Sequence, residues 1–141
     1  MPGESTTPVL EEALRRGVEA LNRRDFDAAG AVTFSRDGVW DMSVLGVGAF
    51  TGHEAIRGFF EDWFGAYEHC EVQLDEYNDL GRDVTFGVHL QRGTPRAASG
   101  SLEFRYATVY TWRDGLIARA TTYTDIDEAR AAAERLAQER G

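Results

Sequence analysis

The residue best placed to do chemistry is Asp41. It follows Trp40 in the strand-like run Gly38-Val-Trp-Asp-Met-Ser43 and precedes a loop carrying Gly46, Gly48 and Gly52. A carboxylate set among aromatic side chains loses hydration. Its pKa then rises toward the range where it can serve as a general acid or base. Two plainer roles fit the same position: a polar anchor in a binding pocket, or a strand-end group paired with an arginine.

The other reactive residue types offer less. His53 opens a helix, where it can cap, bond the preceding loop or face a pocket mouth. His69 starts a strand and is expected to be exposed. His89 alternates against Val88 and Leu90, which points it away from a cavity those residues would line. None of the three has a carboxylate at ligand spacing, so no metal site is expected. Ser43, Ser99 and Ser101 lack the strand-Gly-x-Ser-x-Gly-helix setting of a hydrolase nucleophile. The glycines of 46–52 are not followed by the Gly-Lys-Ser ending of a phosphate loop. Arg92 and Arg96 flank a long turn, where a solvated tip is a plainer reading than an anion site. Cys70 is the single cysteine, so it forms no intrachain disulfide and reads as a half-buried strand residue.

The 141 residues suit one domain, and 43% apolar content with eight Phe, five Tyr and three Trp supplies a core or a lined cavity. With 24 acidic and 15 basic residues the net charge is −9, which argues against nucleic acid and anionic membranes as partners. The N-terminal residues lack the charged-then-apolar pattern of a secretory signal, and no apolar run suffices to span a bilayer, so a cytoplasmic setting is expected.

These residues must be positioned by a mixed set of elements. A lead over residues 1–7 is expected to be disordered, with Thr7 capping a helix that begins at Pro8. Leu10, Leu14, Val18 and Leu21 carry that helix to residue 23. A short helix from Asp25 is expected to end at the Arg36-Asp37-Gly38 turn, before a strand over 38–43. Thr51 is a candidate cap for a helix whose Ile56, Phe59, Phe60, Trp63, Phe64 and Tyr67 form an aromatic stripe. From 69 to 124 the pattern is β: Val84, Phe86, Val88 and Leu90 alternate, 93–100 is a long turn, and Phe104, Tyr106, Thr108, Tyr110 and Trp112 share one face. Arg113-Asp114-Gly115 marks a hairpin. Asp125 or Asp127 caps a last helix reaching about residue 138, which leaves 139–141 as a tail and 8–138 as a single domain. Helices gathered ahead of an antiparallel meander argue α+β.

Three stretches carry a family resemblance: ALNRRDFDAAGAVTFSRDGVWD at 20–41, TGHEAIRGFFEDWF at 51–64, and YATVYTWRDGLIARATTYTD at 106–125. In order and spacing they resemble the SnoaL-like branch of the nuclear-transport-factor-2-like superfamily, which includes ketosteroid isomerases, limonene epoxide hydrolases and polyketide cyclases. The resemblance implies a cone-shaped fold, a curved antiparallel sheet and helices enclosing a pocket. It implies a homodimer through the outer sheet face, where Ala107 and Val109 form an apolar strip between Arg105 and Arg119. It places Asp41 where ketosteroid isomerases keep their general base. The isomerase oxyanion donors fall on Gly17 and Thr108, and the last-strand aspartate of limonene epoxide hydrolase falls on Thr122. Both departures speak against those two reactions. SnoaL-type cyclases use an inward acidic residue for aldol closure, and Asp41 is the one inward acid here.

The resulting expectation is a cofactor-free pocket protein for a hydrophobic small molecule of polyketide, terpenoid or steroid type. One version is a cyclase- or isomerase-like enzyme with Asp41 as general acid or base. The other is a non-catalytic binding or accessory domain. Trp63, Phe86, Tyr106, Thr108, Tyr110, Thr122 and His53 are expected to contact the ligand.

Overall fold

The computed structural model describes residues 2–140, with side chains from residue 9 onward. Helix α1 (Pro2–Asn22) buries Leu10, Leu14 and Leu21, the expected stripe. Its backbone is helical from Pro2, ahead of the expected start at Pro8. The Thr7 cap lies outside the described side chains. Asn22 ties the far end of α1 to the sheet: its side chain donates to the Val72 carbonyl at 2.9 Å and accepts from the Val72 amide at 2.8 Å. A π-helical turn over Ala28–Val32 follows.

Strand β1 (Phe34–Asp41) starts earlier than the sequence implied. Arg36, Asp37 and Gly38 lie inside it at a register irregularity between Phe34 and Val39. A Cβ at Gly38 would meet the carbonyls of Ser35 and Ile117 at 3.0 Å, so only glycine allows the strand this close to its neighbour. The loop then holds a 3-10 turn (Ser43–Leu45) and a short strand β2 (Ala49–Thr51) that the glycines had masked. Helix α2 (His53–Gly65) is capped at Gly52 with no side-chain bond, so Thr51 is not its cap.

Four long strands complete the sheet: β3 (Tyr67–Gly81), β4 (Val84–Pro95), β5 (Leu102–Arg113) and β6 (Leu116–Tyr123). The β5–β6 hairpin turns on Asp114 and Gly115, both at positive φ. The order is β2-β1-β6-β5-β4-β3. All pairs are antiparallel except β1 with β6. Register shifts at Tyr67/His69, Leu74/Glu76 and Asp79/Gly81 bend β3, as bulges do, and the sheet is curved. This is the α+β cone.

Helix α3 (Ile126–Arg140), capped by Asp125 through the Glu128 amide at 3.0 Å, closes the outer face. Its Ala129, Ala133 and Ala137 pack on Val84, Phe86, Val88, Ala107 and Val109. The sheet therefore has two apolar faces. On the concave one Phe34, Trp40, Tyr110 and Trp112 pack against Phe60 and Phe64 of α2 and the leucines of α1. The convex one is covered by α3. The apolar strip of Ala107 and Val109, expected to meet a second chain, is buried inside this one, at 0% and 5% exposure.

Candidate functional site

Side-chain alternation on the paired strands decides what enters the cone. Tyr106 pairs with His89, Phe104 with Gln91, Thr108 with Gly87 and with Thr122, and Tyr110 with Ala120. Ala120 in turn pairs with Trp40. All of these project to the concave face. From α2, Trp63 reaches the same space and packs at 6.2 Å from both Trp40 and Tyr106.

The result is a cavity of about 370 Å³ walled by Trp40, Phe59, Trp63, Phe104, Tyr106 and Thr122. Gln91 also lines it, and Asp62 sits at its exposed rim. No arginine lines it, and the chain has no lysine. Trp40, Trp63 and Tyr106 continue into a narrow extension of about 30 Å³ beside His89, Tyr110 and Gly17. Gly17 lies under Thr33, whose side chain would stand 2.9 Å from an added Cβ, so this end is filled by threonine where the resemblance put a donor. A larger groove of about 510 Å³ elsewhere is lined by mostly polar and charged groups such as Arg24, Glu68, His69 and Arg92. It encloses no aromatic wall.

The polar inventory of the cone is unusual. Among the described residues, five buried side-chain polar atoms have no protein partner, and four belong to Trp40, His89 and Gln91. They are the Trp40 Nε1, the His89 Nδ1 and both amide atoms of Gln91. His89 Nε2 lies 2.8 Å from the Tyr110 hydroxyl, and its ring stacks on Tyr106. Complete burial pushes the His89 pKa down to about 4, so the imidazole is neutral at neutral pH. Burial raises the Tyr106 and Tyr110 phenols, which stay protonated. Thr108 and Thr122 face one another at 3.2 Å.

The expected acid/base, Asp41, and two expected contacts, His53 and Phe86, are placed elsewhere. Asp41 follows inward-facing Trp40 and so projects to the opposite face. There its carboxylate accepts from the Ser43 amide at 2.9 Å, the Ser43 hydroxyl at 2.5 Å and Arg119 at 2.6 Å. Burial raises its pKa, but the Ser43 and Arg119 bonds outweigh that, and the net shift is downward. This reverses the expected direction. His53 anchors α2 through a 2.9 Å contact between its Nε2 and the Phe34 carbonyl, and it does not line the cavity. Phe86 lies under α3, with the Arg130 guanidinium 4.7 Å from its ring centre. Trp63, Tyr106 and Thr122 do line the cavity, Tyr110 lines its extension, and Thr108 supports Thr122. His89, expected to face away from the cavity, lies beside its extension instead, and Gln91 and the Trp40 Nε1 are polar groups of the lining that the alternation alone gives no reason to single out.

The SnoaL-like domain model matches residues 14–120, the greater part of the chain. The chain belongs to the SnoaL-like family. No curated protein matches it. Among solved structures, this SnoaL-like chain is similar to a hypothetical protein of ketosteroid isomerase-like fold from Catenulispora acidiphila, in complex with trimethylamine, at 20% identity and TM-score 0.73. That match covers 86% of this chain and 92% of the other. A candidate polyketide cyclase from Xanthomonas campestris pv. campestris matches at 18% identity and TM-score 0.73, over 89% and 97%. An LEH-like epoxide hydrolase from M. tuberculosis matches at 17% identity and TM-score 0.69, over 92% of each chain. At these identities the likeness establishes the fold. Among the described residues no helix is long and apolar enough to cross a membrane, and no cluster of three or more His, Cys, Asp or Glu is placed to hold a metal.

Proposed function

We propose that this SnoaL-like protein binds a neutral, hydrophobic small molecule in its cone. The observation that carries this is the cavity: about 370 Å³, walled by five aromatic side chains, with no basic group on its lining. Such a volume lies within the range of small-molecule sites, and aromatic walls with few polar groups are their usual make-up. The neighbour that holds trimethylamine supports a small-molecule role for the fold.

The enzymatic version, a polyketide cyclase- or isomerase-like reaction with Asp41 as general acid or base, finds less support. A carboxylate already accepting three hydrogen bonds on the far side of β1 has little proton affinity for a substrate in the cone. Binding without chemistry at Asp41 is therefore the reading put forward. The test is tryptophan fluorescence during titration with a neutral bicyclic aromatic such as 2-naphthol. A saturable change is expected in the parent chain and a much smaller one in Trp63→Phe, with Trp40 supplying the remainder. Absence of any saturable signal, together with no heat by calorimetry, would sink the proposal.

A further inference from the structure

Gln91 is fully buried, yet among the described residues neither its Nε2 nor its Oε1 closes a hydrogen bond with the protein. Burial raises the Tyr67 phenol and hydrogen bonding from the Gln91 amide lowers it in part, but the two side chains stand in a geometry too loose to close a direct bond. Leaving a buried polar group under-satisfied is costly, so this amide, sealed from water on the lining of a cavity, marks what the cavity is built to hold once a ligand nudges the side chain open. The amide presents an N–H donor edge beside a carbonyl acceptor in a single planar group. A carboxylate ligand would satisfy only the nitrogen, and a cation only the oxygen. A ligand edge with an acceptor beside a donor satisfies both.

We infer that the cone selects a planar, neutral ligand whose edge carries an acceptor next to a donor, such as a lactam or a hydroxy-carbonyl, and that Gln91 is the residue that reads it. This rests on the small-molecule reading above. The walls agree with it. Trp40, Trp63 and Tyr106 favour a flat ring system, and the lining supplies no cation to compensate a carboxylate. Trp40 adds a further unpaired donor, Nε1, for a second acceptor on the ligand.

The experiment uses three flat bicyclic probes of similar size: 2-quinolone, N-methyl-2-quinolone and naphthalene. Each is titrated against the full chain and against Gln91→Met. The parent should bind 2-quinolone about tenfold more tightly than the other two, the scale of one or two net hydrogen bonds. Gln91→Met should bind all three alike. In the absence of ligand the same variant should be at least as stable as the parent, since it removes an unpaired buried amide. Equal affinities in the parent, or a 2-quinolone preference that survives in Gln91→Met, would overturn the edge reading while leaving the pocket intact. So would a Gln91→Met chain that unfolds more easily, since the amide would then be held for structure. Failure of all three probes to bind would overturn the small-molecule reading and this one with it.

Discussion

His89 and Asp41 show how one fold sets two ionisable groups to opposite tasks. His89 is sealed in the cone and neutral, with a pKa lowered by burial from 6.5 to about 4. A group that binds its proton more weakly when folded makes the folded state lose stability as pH falls through the unfolded value. The unfolded chain takes up the proton first. Stability should therefore be full above about pH 7 and fall by about 2 kcal/mol by pH 5, measured from urea unfolding. His89→Gln should flatten that slope. A parent with equal stability at both pH values would show that the imidazole is not sealed. Asp41 is the reverse case. Its carboxyl is held below 3.8 by Ser43 and Arg119 against the cost of burial, so its contribution is complete at neutral pH and is lost only in acid, as pH falls through the folded value. Asp41→Asn should cost roughly 1–3 kcal/mol at pH 7 and leave affinity for a cavity ligand within about twofold. A large loss of affinity with unchanged stability would instead return Asp41 to the binding site. The residue type and the flanking Trp40 were legible in the sequence. The side of β1 that Asp41 faces was not, because it depends on the partner strand β6.

At the scale of elements, the errors share one physical cause. The period-two alternation of β4 matches its strand, and Val84, Phe86 and Val88 share a face. As the more apolar face, it is the one the sequence pattern points toward the pocket. In this fold it lies under α3, and the cavity side of β4 is Thr85, Gly87, His89 and Gln91. On β4, hydrophobicity marks the face that α3 covers, not the face toward the cavity. On β5 both faces are covered, and its aromatic set lies on the concave side, Tyr110 and Trp112 in the core and Tyr106 on the cavity wall. The α1, α2 and α3 stripes were legible for the same reason: a helix packed on one side shows it. The start of β1 and the short β2 were hidden by glycines and a bulge, which mimic loop composition. The β4 assignment has a direct test. Phe86→Ala should cost about 3–5 kcal/mol of stability, the usual range for a buried phenylalanine, while leaving cavity affinity unchanged. A loss of affinity with little loss of stability would return Phe86 to the pocket.

At the scale of the whole molecule, covering the sheet from within changes what the surface can offer a second copy. Beyond α3, the outer faces of β3, β4 and β5 present Glu71, Gln73, Asp75, Arg92, Glu103 and Arg105, all exposed. Two pairs among them are bonded, Arg92 to Glu103 at 2.6 Å and Arg105 to Asp75 at 3.1 Å. Exposed ion pairs of this kind add little stability and keep the face hydrated, unlike the apolar strip a sheet-to-sheet dimer would need. Val109 separates the two arrangements. At a sheet-face dimer contact, Val109→Asp would leave the chain folded and convert the dimer to a monomer. Packed under α3 at 5% exposure, the same substitution buries an unpaired carboxylate against Ala129 and Ala133. The expected outcome is a loss of about 3 kcal/mol or more in urea unfolding. The loss should not depend on protein concentration, because the contact is within one chain. Sedimentation showing a folded Val109→Asp monomer beside a dimeric parent would place the helix off the sheet and the partner on it.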